Sequence, residues 1–519
     1  MNNAQLLVLN ANIITMNDRQ PKGEALAVKD GKIVLVGSNS DALEFSDRET
    51  LVLEAEGKTV LPGFIDCHVH LTYTATSTIE IDLFALGSLN QMLGVIGSVA
   101  QKCSAGEWVR ARGFDDTMVV ERRYPTRWEL DKAAPRNPVI LKRQDGHSCV
   151  LNSLGFEALD LPSQIDGLER DPQTKQPTGV LRRQANEMAC TKVNATISDN
   201  AILKGLLEAT YGAARKGITT IHALDGRTRD PKDISLVVSH MDEFPVDIVL
   251  YYQTTDVEEI VRLRLPRVGG CLLVDGSMDS HTAALYEPYA DNPSTSGVLY
   301  FTDEQLSRFV LEAHRNDLQV AMHAIGDRAV DQLLNAYENA LELCPRRNHR
   351  HRIEHIAVPS PDQVKRCSDM KIAVSVQPAF YYFWDMKKFY ETRLGPERAQ
   401  RIHPYSLFIS EGIITGGGSD SPVTPIDPML GIHAAVNHPI SYHSVDVGQA
   451  IRMFTADAAR LAFQEGVKGT LETGKYADLV ILSENPFAVK RERIKEIKVE
   501  ATIRRGHFTY NSLQVKSGP

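Results

Sequence analysis

The sequence has no long hydrophobic run and no block of like charge. Its 57 lysines and arginines and 66 aspartates and glutamates give a net charge of −9 over 519 residues. No segment approaches the ~18 continuous apolar residues of a membrane helix. The dispersed charge argues against nucleic acid or an anionic membrane as the main partner. The N-terminus lacks a basic stretch followed by an apolar one, so no signal peptide is predicted. We therefore expect a cytoplasmic protein with a small-molecule substrate, for which a homodimer is an open option.

Paired cysteines and two common catalytic motifs are also missing. The seven cysteines are odd in number and scattered, without a Cys-x-x-Cys pair. In a long chain without a secretion signal, they are expected to be reduced and mostly small buried residues. The sequence has no Gly-x-Ser-x-Gly, which counts against a serine hydrolase. It has no Gly-x-Gly-x-x-Gly after a first strand, which counts against a dinucleotide enzyme.

The most informative segment that is present runs from Leu61 to Leu71. It is apolar and rich in branched residues, which predicts a buried strand, and it ends in His68 and His70. Side chains two residues apart on a strand point to the same side. Two imidazoles held together in this way suit a divalent metal of the zinc or iron type.

Three further apolar segments end in residues that can bind a metal. They supply His323 after residues 318–322, His355 after a basic turn, and Asp420 after a glycine-rich strand. Parallel α/β barrels assemble their active sites at the carboxyl ends of the strands. The pattern therefore predicts that these residues converge with His68 and His70 on one metal centre. The alternatives to metal binding are structural histidines in the core and an aspartate that caps the following helix.

Strand-like segments at both ends of the chain flank a region of alternating strands and helices. Residues 25–37 contain Asp30-Gly31 between two apolar runs, a strong hairpin signal, and the tail from 499 to 510 is again strand-like. We predict a β-sandwich from residues 1–57 and 466–519 around a barrel at 58–465, with an insertion at about 72–200 over the barrel mouth. Residues about 72–135 and 150–200 are expected to be helical and loop-rich. The remaining barrel strands are assigned to 139–141, 217–222, 271–274 and 373–376.

The chain resembles the amidohydrolase superfamily, and within it the amidohydrolase family 3 group that includes N-substituted formamide deformylases. The residues that carry the resemblance are 62–71, 145–147, 152–153, 275–277, 282–285, 323–327, 352–355, 418–422 and 469–480. The resemblance implies an α/β fold with a (β/α)8 TIM barrel, a small β-sandwich built from both termini, and an α/β insertion. It also implies a divalent metal, zinc above all, with one or two ions per chain.

Cys271 departs from the family pattern. At this fourth-strand position, many relatives carry a lysine whose carbamate bridges two metals. A cysteine thiolate is a good zinc ligand and could bridge in its place. The alternative is a small core residue in a site that holds a single metal. Lys142 is a weaker candidate for a substitute carbamate.

Other residues are candidates for roles around the metal. His147 is expected to orient the substrate or stabilise an oxyanion, with a structural loop histidine as the alternative. His281 and Asp279 are candidates for substrate binding. They stand where relatives commonly have arginine and glycine, which argues against an anionic substrate group there. His222 is expected at the end of the third strand, close to the ligands.

The residues suit metal-assisted hydrolysis of an amide, formamide or cyclic amide bond. A metal ion lowers the pKa of its water from roughly 16 towards ~7. Asp420 would accept the water proton and return it to the leaving nitrogen. Esterase, lactonase or deaminase chemistry remains open because fold does not fix reaction. A non-catalytic scaffold is the other alternative, although a degenerate relative should have lost some of these residues.

Overall fold

A parallel sheet that curls into a nearly closed barrel forms the centre of the protein. The computed structural model describes residues 3–226, 231–383 and 386–517. Within these ranges the sheet has eight strands in chain order: Phe64–Val69, Ile218–Gly226, Asp247–Gln253, Arg267–Val268, Gln319–Ala324, Arg352–His355, Ala373–Val376 and Thr415–Gly417. A parallel bridge between Val69 and Ser421 joins the first strand to the segment after the eighth. The predicted (β/α)8 barrel is therefore confirmed.

Helices alternate with the barrel strands, as in repeated βα units. Thr302 and Ser360 begin two of them with reciprocal capping boxes. The helices of this part of the chain are Asn39–Leu43, Val257–Arg262, Asp303–Arg315, Asp327–Leu343, Pro361–Met370, Phe380–Phe383, Met386–Arg398, Tyr405–Ser410, Pro428–Val436, Val447–Met453 and Ala456–Leu461, with 3-10 turns at Met241–Glu243, Ala399–Arg401, Ser441–His443 and Arg491–Glu496. No helix among the described residues combines the length and apolarity that a membrane crossing requires.

Two sheets built from both ends of the chain form the predicted β-sandwich. In spatial order, one contains Val515–Ser517, Leu51–Glu54, Leu6–Leu9, Ala25–Lys29 and Lys32–Gly37. The other contains His507–Asn511, Val499–Arg504, Leu479–Leu482, Thr59–Pro62, Asn12–Ile14 and Lys22–Gly23. Side chains from both sheets, including Leu6, Val28, Val60 and Ile481, share one buried core. Asp30 and Gly31 have φ of 50° and 74°, which makes the predicted tight hairpin.

Gly63 divides the apolar segment at residues 61–71 into two strands. Thr59–Pro62 belongs to the sandwich, and Phe64–Val69 begins the barrel. A Cβ on Gly63 would lie 2.3 Å from Cγ2 of Thr219, so a larger residue would push the first and second barrel strands apart. The single strand expected from the sequence is thus two strands, and the sandwich extends beyond residue 57.

A second compact unit comprises residues 72–208 and 226–239. Its own sheet has, in spatial order, the strands Leu168–Arg170, Pro177–Arg182, Ser148–Leu151, Val139–Arg143, Val109–Phe114 and Ile81–Asp82. Its helices are Leu71–Ser77, Leu89–Ala100, Arg127–Ala133, Ser153–Leu159, Arg183–Asn194, Pro231–Ser239 and the first part of Asp199–Arg215. The unit is therefore α/β, as the resemblance implied, and the residues expected to be helical and loop-rich also contribute strands to its sheet.

Three strand assignments from the sequence need correction. Val139–Arg143 pairs with strands of the second unit and is not a barrel strand. The fourth barrel strand is Arg267–Val268, because positive φ at the next two glycines turns the chain before Cys271. His222 does not end the third strand. It lies inside the second, four residues before the end of Ile218–Gly226, and is fully buried.

Candidate metal centre

His68 and His70 reach the carboxyl end of the first barrel strand with their rings fixed from behind. Nδ1 of His68 lies 2.8 Å from Oε2 of Glu354, and Nδ1 of His70 lies 2.9 Å from the carbonyl oxygen of Leu224. Both Nε2 atoms lie 3.2 Å from Oδ1 of Asp420. Because each Nδ1 has its own partner, the Nε2 atoms are the ones that face the carboxylate.

Cys271 lies between the two remaining histidines. Its Sγ is 3.7 Å from Nδ1 of His323 and 3.9 Å from Nε2 of His355. The other nitrogen of His323 lies 3.0 Å from the Gly276 carbonyl, and that of His355 lies 2.6 Å from Oε1 of Gln377. One nitrogen of each ring is thereby held, and the other faces the thiol.

These side chains form two overlapping groups that could hold a metal ion. In the described part of the chain, ligand atoms lie within 4.8 Å of one another in His68, Cys271 and His355, and again in His68, His70 and Asp420. Nε2 of His68 and Oδ1 of Asp420 are buried, and neither meets the geometry of a hydrogen bond with any residue that the structure describes. Buried polar atoms are rarely left in that state. Imidazole, thiolate and carboxylate donors together fit a zinc-type cation.

The electrostatics of the cluster favour a cation. Burial alone would raise the pKa of the Cys271 thiol, but contacts with His323 and His355 hold it well below its usual range. Burial likewise acts against ionisation of Asp420, yet His68 and His70 keep the pKa of its carboxyl well below normal. Neither anionic group pairs with a lysine or arginine in the described part of the chain, and buried anionic groups of this kind attract protons or a metal ion.

The backbone is strained at two of the candidate ligands. His355 has a φ of 71° and Asp420 a φ of 57°, in the left-handed region that branched and bulky residues avoid. Such conformations persist only where the surrounding structure enforces them, and they cluster at functional sites. His355 turns the chain at the end of the sixth strand, and Asp420 turns it just beyond the eighth strand.

Two aspartates that the sequence reasoning did not single out organise the strand ends. Oδ1 of Asp66 accepts hydrogen bonds from the backbone N–H of His68 at 3.1 Å and of Ser419 at 2.9 Å. Asp275 accepts three backbone N–H groups and lies 3.5 Å from Nε2 of His323. A charged residue inside an apolar strand is the signal that points to Asp66.

Three of the predicted site residues lie outside this cluster. His147 belongs to the second unit, where its backbone N–H donates to Asp145 at 3.1 Å. Nε2 of His281 lies 3.1 Å from Oδ1 of Asp291 and 3.0 Å from Nη1 of Arg393. Arg393 also donates to the carbonyl of Asp279 at 3.1 Å. The predicted substrate contacts of His147, His281 and Asp279 remain predictions.

Lys142 is not suited to carry a metal-bridging carbamate. It is buried in the second unit, where its ammonium pairs with Glu80 and lies 4.9 Å from the centre of the Tyr73 ring. Burial alone would lower the pKa of Lys142, but the carboxylate of Glu80 raises it above its usual value. Carbamate formation requires a neutral amine, so the buried ion pair with Glu80 argues against this suggestion from the sequence.

Comparisons with known proteins agree with this architecture. A model of the amidohydrolase family matches residues 51–510. Amidohydrolase YtcJ of Bacillus subtilis (strain 168) is 29% identical over 96% of this chain and 98% of its own. The N-substituted formamide deformylase of Arthrobacter pascens is 25% identical over 97% and 98%. A crystal structure of a metal-dependent hydrolase from Pyrococcus furiosus superposes with a TM-score of 0.76, at 27% identity, over 93% of this chain and 99% of that one. The chain belongs to the amidohydrolase family.

Proposed function

We propose that the protein is a metal-dependent hydrolase that cleaves a carbon–nitrogen bond of a small amide, formamide or cyclic amide. The observation that carries this proposal is the pair of buried, unbonded atoms, Nε2 of His68 and Oδ1 of Asp420, 3.2 Å apart. Their separation is that of an ion pair, but neither atom makes a hydrogen bond of good geometry among the described residues, and a shared divalent cation would satisfy both. We assign the candidate ligands as His68, His70, Cys271, His323, His355 and Asp420, and the metal as zinc.

The relatives support this class of reaction. Amidohydrolase YtcJ and the formamide deformylase both match nearly the full chain, and their names describe amide hydrolysis. The structural neighbour with 27% identity is a metal-dependent hydrolase. The candidate ligand set of the present chain fits that chemistry, which supports the same type of reaction here.

The chain's own residues supply proton transfer and positioning. A divalent cation held by the candidate ligands would act as a Lewis acid and would lower the pKa of the attacking water. Asp420 accepts a proton from the attacking water while the water oxygen forms a bond to the substrate carbonyl carbon. It then delivers that proton to the leaving nitrogen as the C–N bond breaks. Glu354, Leu224, Gly276 and Gln377 hold the four imidazoles in fixed tautomers during these steps.

Substrate recognition is assigned to residues of the predicted set outside the cluster. We propose His147 as a group that orients the substrate, and His281 with Asp279 as part of its binding site. The pairing of Arg393 with Asp291 beside His281 leaves no unpaired cation on Arg393 for an anionic substrate. A substrate group that is uncharged at this position fits that arrangement best.

The test combines metal analysis with a substrate panel. Purified protein should contain close to one or two zinc ions per chain. With zinc added, it should hydrolyse a member of a panel of formamides, N-acyl amino acids and cyclic amides faster than matched esters and lactones. Preferred turnover of the esters would overturn the C–N assignment. Protein that binds no divalent metal would overturn the proposed centre as a whole and favour a scaffold.

A further inference from the structure

Among the histidines of the centre, His68 has the shortest contact with a carboxylate. Behind His70 stands a backbone carbonyl, and behind His355 stands the neutral amide of Gln377. Behind His323 stands the carbonyl of Gly276 at 3.0 Å, with the Asp275 carboxylate farther away at 3.5 Å. Behind His68 stands a carboxylate, that of Glu354, at 2.8 Å. His68 is also the one residue common to the two groups that could hold a metal ion.

Glu354 is fully buried, and its charge is balanced by a buried arginine. Arg352 contacts it through Nε and through Nη2, the latter at 2.7 Å from Oε2. Nη2 also donates to the carbonyl of Cys67 at 2.8 Å, next to His68 in the chain. The guanidinium lies 4.4 Å from the centre of the Tyr251 ring. Arg352 is thus held on several sides, and it keeps Glu354 ionised and aimed at His68.

The remaining face of Arg352 contacts His222. Nη1 of Arg352 lies 3.2 Å from Nδ1 of His222. Arginine only donates, so Nδ1 of His222 accepts and its ring proton lies on Nε2. Burial and the neighbouring guanidinium lower the pKa of His222 well below its usual value. His222 therefore adds no charge, and the buried group beneath His68 consists of one cation and one anion.

We propose that Arg352 and Glu354 are positioning residues that set the metal affinity of the centre through His68. Ionised Glu354 accepts the Nδ1 proton of His68. This fixes the lone pair on Nε2, towards the metal, and increases its basicity. Because His68 is shared by both candidate metal groups, one buried ion pair would control both. The inference rests on the proposed metal centre.

The test measures Co²⁺ affinity by competition with a chelator, together with the visible spectrum of the Co²⁺ protein. Glu354→Gln keeps the shape of the side chain but removes its charge. Losing a partner behind a ligand histidine typically weakens metal binding about 10–100-fold, and we expect a loss of that size with an altered Co²⁺ spectrum. Asp478→Asn is the matched control. It changes another buried carboxylate, one paired with Lys468, and should leave affinity and spectrum unchanged.

Glu354→Gln leaves Arg352 buried without its anion and could fail to fold. The charge-balanced double variant Arg352→Met with Glu354→Gln avoids that problem. It should be as stable as the original protein without metal, yet show the same loss of affinity. A folded double variant with the original affinity and spectrum would overturn the inference. If the unaltered protein binds no Co²⁺, the proposed centre itself fails.

A measurement on the unaltered, metal-free protein decides the question even if neither variant folds. In a sample labelled with ¹⁵N-histidine, the His68 ring is assigned by the signal lost in His68→Asn. A proton on Nδ1, hydrogen-bonded to a carboxylate, is the expected result, whether or not Nε2 is protonated as well. A ring protonated on Nε2 alone would mean that Glu354 does not fix the ring, and the inference would be wrong.

Discussion

The two ends of the barrel each contain buried charged groups, but only one end supplies its own cations. At the amino ends of the strands, Nζ of Lys468 lies 2.6 Å from Asp247, 3.3 Å from Asp478 and 2.8 Å from the Thr220 hydroxyl. Arg504 also contacts Asp247, at 2.6 Å. At the carboxyl ends, Asp420 and Cys271 face only histidines. The first group is complete as a structural network. In the second group, no lysine or arginine among the described residues pairs with the carboxylate or the thiol, and we expect a cation from solution to complete it.

The backbone conformation also differs between the two ends of the barrel. The candidate ligands His355 and Asp420 have positive φ, whereas Lys468, Asp247 and Asp478 do not. Strain of this kind costs of order 1–3 kcal/mol per residue and is retained where function requires it. Barrels of this type usually have stability and function at opposite ends of the strands, and we expect the same division here. The variants below test that division.

The largest effect is expected from removing the first pair of ligands. His68→Ala with His70→Ala should abolish metal binding and lower kcat/KM by about 10³-fold or more, since a catalytic metal supplies several kcal/mol of transition-state stabilisation. Circular dichroism should show an intact fold, because both side chains stand at a strand end. Metal analysis and turnover are measured beside His507→Ala, an exposed histidine. Full metal content and turnover in the double variant would refute the central claim.

Asp420→Asn tests the proton acceptor at the same end. The amide keeps one oxygen for a metal but is a very poor base, so kcat should fall about 10²–10⁴-fold. Metal content should fall less than in the double histidine variant. The comparison needs steady-state rates and metal analysis on the same preparation. If kcat were unchanged at saturating metal, Asp420 would not be the proton acceptor.

Lys468→Met tests the opposite end. Asp247 keeps its contact with Arg504, but Asp478 loses its buried cation, so the free energy of unfolding should fall by about 3–5 kcal/mol. Metal content and kcat of the folded fraction should not change. Urea unfolding monitored by fluorescence gives the stability, and metal analysis gives the occupancy. A loss of metal without a loss of stability would show that the two ends are not independent.

The candidate ligands could be found from the sequence because each one is a local feature. An apolar strand followed by His68, His323, His355 or Asp420 is visible in a few consecutive residues, and parallel strands bring such ends together. The same local reasoning failed at residues 139–141, because a short apolar run has the same sequence pattern whether its strand belongs to a barrel or to a separate sheet.

The partners of the ligands could not be found in this way. Glu354 contacts His68 across 286 positions of sequence, and Leu224 contributes only a backbone carbonyl to His70. Nothing in the local pattern connects such residues. The fourth strand was misplaced for a similar reason. Arg267–Val268 carries little apolar signal, while the apolar residues 271–274 follow a glycine turn.

The smallest effect is expected from Cys271→Ser, and the metal content of this variant distinguishes two roles for Cys271. If its thiolate bridges two cations, protein reconstituted with zinc should hold close to two metals per chain, and Cys271→Ser should lose one. An alcohol is a far poorer ligand than a thiolate at neutral pH. Cys367→Ser is the matched control, since Cys367 is also fully buried but lies in the helix Pro361–Met370. It should lose stability without losing metal.

The alternative is a mononuclear centre in which Cys271 is a small buried residue. In that case Cys271→Ser, like Cys367→Ser, would cost roughly 1–3 kcal/mol of stability from burying a hydroxyl. The metal-to-chain ratio would be close to one in both variants, with turnover unchanged. The contacts of 3.7 and 3.9 Å to His323 and His355 place the sulfur beside the nitrogens that face it, an arrangement that fits a thiolate ligand of one ion or of two. A ratio of one with full turnover in Cys271→Ser would refute that role and leave Asp420 as the one anionic ligand.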